Sequence, residues 1–198
     1  MPEGKDEIQV ENQPAQTVPK RFAREFFEIG KVLLISILIV VPIRYFIVQP
    51  FVVRGASMEP NFEDHEYLVI DEVSYYIRPP ARGEVIVFRY PKIPTQFFIK
   101  RIIGLPREQV EITDSRVRVM NAEYPKGILL DEKYLPEGQT TSPNISTTLS
   151  ASEYFVLGDN REFSSDSRIW GALDKKFIIG RVLFRAWPVE KIGITPAQ

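Results

Sequence analysis

Past Gln49 the sequence breaks into short runs of β-branched and aromatic residues, and no other feature restricts the fold as much. Tyr67-Leu68-Val69-Ile70, Glu84 to Phe88, Phe97 to Ile103, Val117-Arg118-Val119, Tyr154 to Leu157 and Phe177 to Phe184 are divided by Gly, Pro and Asp. Runs of this length and composition suit pleated strands joined by turns. The region is therefore predicted to be mainly β, with an antiparallel sheet. Gly138 to Ser152, rich in Ser and Thr and holding Pro143, reads as a surface loop.

A different kind of segment precedes the strands. Val32 to Ile43 is apolar apart from Ser36 and Pro42, and after Arg44 the run resumes through Tyr45-Phe46-Ile47-Val48. A membrane-spanning helix needs about 20 mostly apolar residues. The uninterrupted part is shorter, which leaves a buried core helix open; counting from Ile29 to Val48, with Arg44 snorkelling, restores the length. A cleaved leader fits less well, because a long polar stretch precedes the run and no small-x-small site follows it. Lys20, Arg21, Arg24 and Lys31 flank its N-terminal side, and basic flanks stay in the cytoplasm.

The expected organisation follows from these two segments. Residues 1–20, rich in Glu, Gln, Pro and Lys, form a disordered cytoplasmic tail. Residues 21–48 form an interfacial turn and one N-terminal transmembrane helix. Residues 49–192 form the β-rich domain on the outer side of the membrane, be it periplasmic, extracellular or lumenal, and 193–198 are a short tail.

Charge and rare residues exclude several function classes. With 25 basic and 26 acidic residues the net charge is −1, and no basic stripe of the kind that binds nucleic acid is present. There is no cysteine and one histidine, His65, so disulfides and the usual zinc sets are out of reach. No Gly-rich nucleotide loop occurs either; no cofactor and no metal is expected. The single histidine also limits nucleophilic catalysis. A Ser-His-Asp triad would depend on a residue eight positions from the candidate serine, Ser57, and that leaves lysine as the plausible base.

Ser57 sits in Gly55-Ala56-Ser57-Met58-Glu59-Pro60, between the strand-like Phe51-Val52-Val53 and a proline. Alone, this pattern fits an exposed turn serine as readily as a nucleophile. If Phe97 to Ile103 is a strand, Phe98, Lys100 and Ile102 share one face. A lysine between two apolar side chains is placed to lose water, which lowers its pKa and suits it to take a proton from a serine. The alternative is a lysine whose stem packs while its amine reaches solvent. A third segment, Gly158 to Gly171, puts polar, turn-forming residues directly after the apolar run Tyr154 to Leu157, and such a segment either builds a site or makes an elaborate turn.

Four blocks taken together resemble type I signal peptidases, the membrane-bound Ser/Lys endopeptidases of the peptidase S26 family: Ser57-Met58-x-Pro60, Gly83 to Phe88, Lys100 to Pro106, and Gly158 to Gly171. The resemblance covers roughly residues 21 to 192 and is nearest to the compact single-span type found in bacteria and cyanobacteria. It implies removal of signal peptides from exported preproteins, with Ser57 as nucleophile, Lys100 as general base and Ser164 orienting the lysine. Arg101, Asp159, Asp166 and Arg168 match positions that brace the site by ion pairs, and the Ser57 N–H is an expected oxyanion donor. It also implies an antiparallel β domain of the signal peptidase type, small residues at the first and third substrate positions before the cut, and, as partners, membrane lipid and the export machinery. A monomer is expected. A specialised protease for pilin or conjugation precursors, and an inactive membrane-tethered β domain that binds exported chains, are the competing readings.

Three positions depart from the family pattern. Gly55 stands where some members carry a serine whose hydroxyl serves the oxyanion, which leaves the second donor open, and Gly55→Ser is expected to keep or modestly improve the rate unless residue 55 needs a positive φ. Asn61 stands where Thr is usual, away from the proposed catalytic pair, and Arg107-Glu108 where Gly-Asp is usual.

Overall fold

The structure is a computed structural model that describes residues 19–42 and 49–194. The predicted tail up to residue 18, the end of the predicted span over 43–48 and residues 195–198 lie outside the described residues. The chain divides into two compact units, Met1–Val41 and Pro42–Gln198.

The described part of the first unit is helical and belongs to α1 (Pro19–Pro42), whose last residue falls in the second unit. Phe26, Phe27, Leu34 and Leu38 on α1 are all exposed. Among the described residues no helix is long and apolar enough to cross a membrane. The predicted transmembrane helix is therefore not found there, and the Tyr45 to Val48 run that completed the predicted length lies outside the described residues.

The second unit runs through β1 (Gln49–Val52), β2 (Tyr67–Asp71), the one-turn α2 (Ser74–Ile77), β3 (Val85–Tyr90), β4 (Ile93–Gly104), β5 (Gln109–Thr113) and β6 (Arg116–Met120). It continues with β7 (Ile128–Leu129), β8 (Ile145–Thr148), β9 (Glu153–Leu157), α3 (Ser167–Trp170), β10 (Leu173–Asp174), β11 (Ile178–Trp187) and β12 (Gly193–Ile194). One sheet has the order β1-β2-β11-β3-β4-β9-β10, with β12 added to β11; a four-stranded sheet has the order β7-β6-β5-β8. The pairings are antiparallel throughout.

The large sheet is apolar on both faces around β3 and β4. Val85, Val87 and Ile99 join Val53, Met58, Phe62 and Leu68 in one core, while Ile86, Phe88 and Ile102 join Tyr154, Val156 and Leu173 in another. The alternation of β3 and β4 separates these two cores. A third core, with Val110, Ile112, Val117, Val119 and Phe155, fills the small sheet.

Two expectations change at this level. The segment 138–152 is not only a loop: Ile145–Thr148 pairs with β5 along Gln109 to Ile112. Gly193 and Ile194, expected in a tail, pair with Arg185 and Phe184.

Candidate active site

Ser57 lies on a turn that closes on itself before β2. Val53 N–H donates to Glu66 O at 2.9 Å, His65 N–H to Val53 O at 3.0 Å, and Phe62 N–H to Met58 O at 2.9 Å. Met58 and Phe62 are fully buried in the core, so the turn is pinned from below and Ser57 stays half-buried above it.

Lys100 comes from the middle of β4, directly across from Ile86. Its side chain is 3% exposed, its Nζ lies 2.7 Å from Ser57 Oγ and 2.8 Å from Ile99 O, and the Phe98 ring centroid is 5.4 Å away. Burial lowers its pKa from 10.5 to about 8; Asp166 and Asp159 act the other way, and Arg168 adds slightly to the lowering. Near neutral pH a useful fraction of the amine is thus free to accept a proton.

The next residue points to the other face. Arg101 Nε donates to Asp159 Oδ1 at 2.8 Å, Nη2 to Asp159 Oδ2 at 2.6 Å, and Nη1 to Gly83 O at 2.8 Å, with both side chains fully buried. A buried ion pair is tolerable only when its remaining groups are bonded too, and here they are. The guanidinium stacks on the Tyr134 ring at 4.0 Å, Gln139 Nε2 donates to Asp159 O, and Asn61 Nδ2 donates to Asp159 Oδ2 at 2.8 Å.

The segment after β9 fastens the nucleophile turn. Asn160 N–H donates to Ser57 O at 3.0 Å. Asp166 accepts from Gly158 N–H at 3.1 Å and from Arg168 Nε and Nη2 at 2.8 and 2.7 Å. A Cβ on Gly158 would overlap the Ser57 carbonyl oxygen and Ser164 Oγ, so this close approach needs glycine.

Ser57, Lys100, Ser164, Arg101, Asp159, Asp166 and Arg168 are thus brought together, but one expected contact is not seen. Ser164 is buried beside Gly158, yet its Oγ has no hydrogen-bond partner. The bond expected from it to Lys100 is not made, since the amine's contacts are Ser57 Oγ and Ile99 O. Gly55, expected in the oxyanion region, has φ +84°, a Cβ there would meet open space, and its N–H donates to Asp64 Oδ1 at 2.8 Å.

Several residues of the site were not predicted. Asn61, read as not touching the pair, bonds Asp159 rather than Ser57 or Lys100. Tyr134, Gln139, Glu132 and Thr141 come from the stretch between β7 and β8: Arg161 Nη1 donates to Thr141 Oγ1 at 2.7 Å, and Arg161 pairs with Glu132. At the turn after β4, Arg107 has φ +67°, a conformation that glycine takes freely, while Glu108 accepts from Arg82 and from Leu105 N–H.

A groove of about 700 Å³ runs past the dyad, with residues 51–57 on one side and 95–100 on the other, and Phe163 and Ser165 also line it. The Phe51 and Phe97 rings meet edge to face at 5.7 Å.

The family model for signal peptidase, peptidase S26, matches residues 26–187. The chain belongs to this family. Among curated relatives, "Probable signal peptidase I-2" of Synechocystis is 34% identical over 180 residues, covering 85% of this chain and 77% of the relative. "Signal peptidase I" of Leptolyngbya laminosa is 35% identical over 190 residues, covering 91% and 89%. A crystal structure of a signal peptidase I from Enterococcus faecalis is similar over 53% of this chain and 97% of its own, at 29% identity and a TM-score of 0.45.

Proposed function

We propose that this chain is a membrane-bound serine endopeptidase that removes signal peptides from exported preproteins. The observation that carries the reading is the 2.7 Å separation between Ser57 Oγ and the nitrogen of a lysine that is 3% exposed. The neutral amine takes the Ser57 proton as Oγ attacks the scissile carbonyl, then returns it to the leaving amine; water, activated by the same lysine, releases the acyl group. Ser57 N–H, which has no acceptor among the described residues, serves the oxyanion.

The substrate lies extended in the groove between the two segments that form its sides. The exposed start of β4, Ile93 to Phe97, and the edge strand β1 offer backbone groups for pairing. Apolar walls from Phe51, Val53, Leu68 and Ile99 favour small residues at the first and third positions before the cut. Membrane attachment through residues 21–48, with the tail cytoplasmic and the β domain outside, belongs to the same reading. The exposed apolar side chains along α1 and the basic residues Lys20, Arg21, Arg24 and Lys31 support it.

Cleavage of a signal-peptide substrate by two variants tests the reading. Ser57→Ala and Lys100→Arg are each expected to lose at least about 10³ in kcat, because arginine stays protonated and cannot act as a base. Robust turnover by Lys100→Arg would refute it.

A further inference from the structure

The side chain of Asn61 makes bonds that the serine–lysine pair does not explain. Its Nδ2 donates to Asp159 Oδ2 and to Tyr134 O, each at 2.8 Å. Both partners are acceptors, so an amide turned the other way would set its oxygen against a carboxylate and a carbonyl. The position suits a neutral side chain that donates, with the bond to Asp159 as the one that reaches the ion pair.

The placement of those partners gives the bonds their meaning. Asn61 lies four residues after Ser57, at the far end of the turn closed by Phe62 N–H and Met58 O. The near end is tied by Asn160 N–H to Ser57 O at 3.0 Å. Asn160 follows Asp159, and Asp159 is chelated by Arg101, the residue after Lys100. The turn is therefore held at two points to one dipeptide, and that dipeptide is clamped to the strand that carries the lysine. Met58 and Phe62 anchor the base of the turn in the core and Arg185 donates to Asn61 O, while the Asn61 side chain adds the direct tie to the dipeptide; losing that tie leaves the Ser57 end free to shift relative to Lys100 Nζ.

We propose that Asn61 is a positioning residue for the hydrolytic pair, tying the nucleophile turn to the Arg101–Asp159 ion pair. The inference rests on the Ser57–Lys100 reading above. It assigns a role to a position at which the sequence showed only a departure from the family pattern. It also explains why the stretch around Tyr134 packs on this ion pair: Tyr134 supplies the second acceptor through its carbonyl and the platform for Arg101 through its ring.

Asn61→Thr and Asn61→Val have the same shape, and only threonine keeps a donor for Asp159. In the full-length protein, with a signal-peptide substrate, Asn61→Val is expected to lose about 100-fold in kcat, the scale of a displacement of about 1 Å between reacting groups. KM should stay within about twofold, and Asn61→Thr should recover most of the loss. Equal kcat in the two variants, a loss confined to KM, or a loss fully accounted for by a smaller folded fraction would each overturn the inference. Should Asn61→Val not fold, Asn61→Ser against Asn61→Ala reads the same difference. Ser57→Ala is assayed in parallel: activity there sinks the serine mechanism itself, whereas equal Thr and Val variants of a Ser57-dependent enzyme sink only the role of Asn61.

Discussion

Lys100 stands where an ammonium would lose water on nearly every side, with Ile86 across the strand pair and Phe98 beside it on the same face. Because its folded pKa of about 8 lies below the ordinary lysine value, the fold disfavours the charge. The resulting cost to stability is full below pH 8 and fades as pH rises toward 10.5, the opposite sign from a lysine in an ion pair. Activity has the same direction, since only the neutral amine can accept the serine proton. Gly55 meets the condition on which its expectation depended. A Cβ there would meet open space, so serine fits sterically, but φ is +84°. Holding a non-glycine residue in that region costs about 1 to 3 kcal/mol. Gly55→Ser is therefore predicted to lower Tm and to leave kcat/KM at or below that of the parent. A faster Gly55→Ser enzyme would show that the turn relaxes and that the added hydroxyl reaches the oxyanion. Ser57 and Lys100 were legible as candidates because chemistry restricts bases in a chain with one histidine. A positive φ at residue 55 leaves no such trace beyond the glycine itself.

At the scale of elements, the strand period of β4 carried most of the site. Alternation puts Phe98, Lys100 and Ile102 on one face and Arg101 on the other, and the register against β3 keeps that division. The stretch from Asn121 to Ser152 was not legible in the same way. Its Glu132, Tyr134, Gln139 and Thr141 contact Arg161, Arg101 and Asp159, but irregular backbone has no periodicity to mark which polar side chains turn inward. The short β8 was missed for a related reason: Ile145-Ser146-Thr147-Thr148 has one large apolar residue, and its pairing with β5 is a long-range contact. The segment after β9 makes the most exacting demand on an element. Gly158 leaves room for the Ser57 carbonyl and for Ser164 together, and Gly158→Ala must push one of them away. A loss of about 100-fold in kcat/KM is expected, the scale of a displacement of about 1 Å at the reacting groups. Kinetics on a short peptide substrate, with Tm measured alongside, check this. An unimpaired Gly158→Ala enzyme would mean that the nucleophile turn is not held by this contact.

For the whole molecule, the two units have different physical tasks. The unit that starts at Pro42 has its own cores in two sheets, whereas the described part of the other is one helix with exposed Phe, Leu, Ile and Val side chains. On the membrane-bound reading proposed above, burying these side chains in lipid would lower the free energy by about 25 cal/mol per Å² of apolar surface removed from water. The full chain is predicted to sediment with phospholipid vesicles, and a chain beginning at Gln49 to stay in solution while still cleaving a peptide substrate. Equal vesicle binding by both would place the membrane contact in the β domain. The antiparallel β architecture was readable from run lengths and separators, because strands of this kind are local signals; the division into two sheets was not, since it depends on which strands pair.

The claim that supports the rest is that Lys100 is a neutral base beside Ser57. NMR titration of isotope-labelled lysine side chains, with the Lys100 signal assigned by its loss in Lys100→Arg, measures that protonation directly. A midpoint near 8 is predicted. A midpoint at the ordinary lysine value of 10.5 would leave the amine charged at neutral pH and contradict the mechanism.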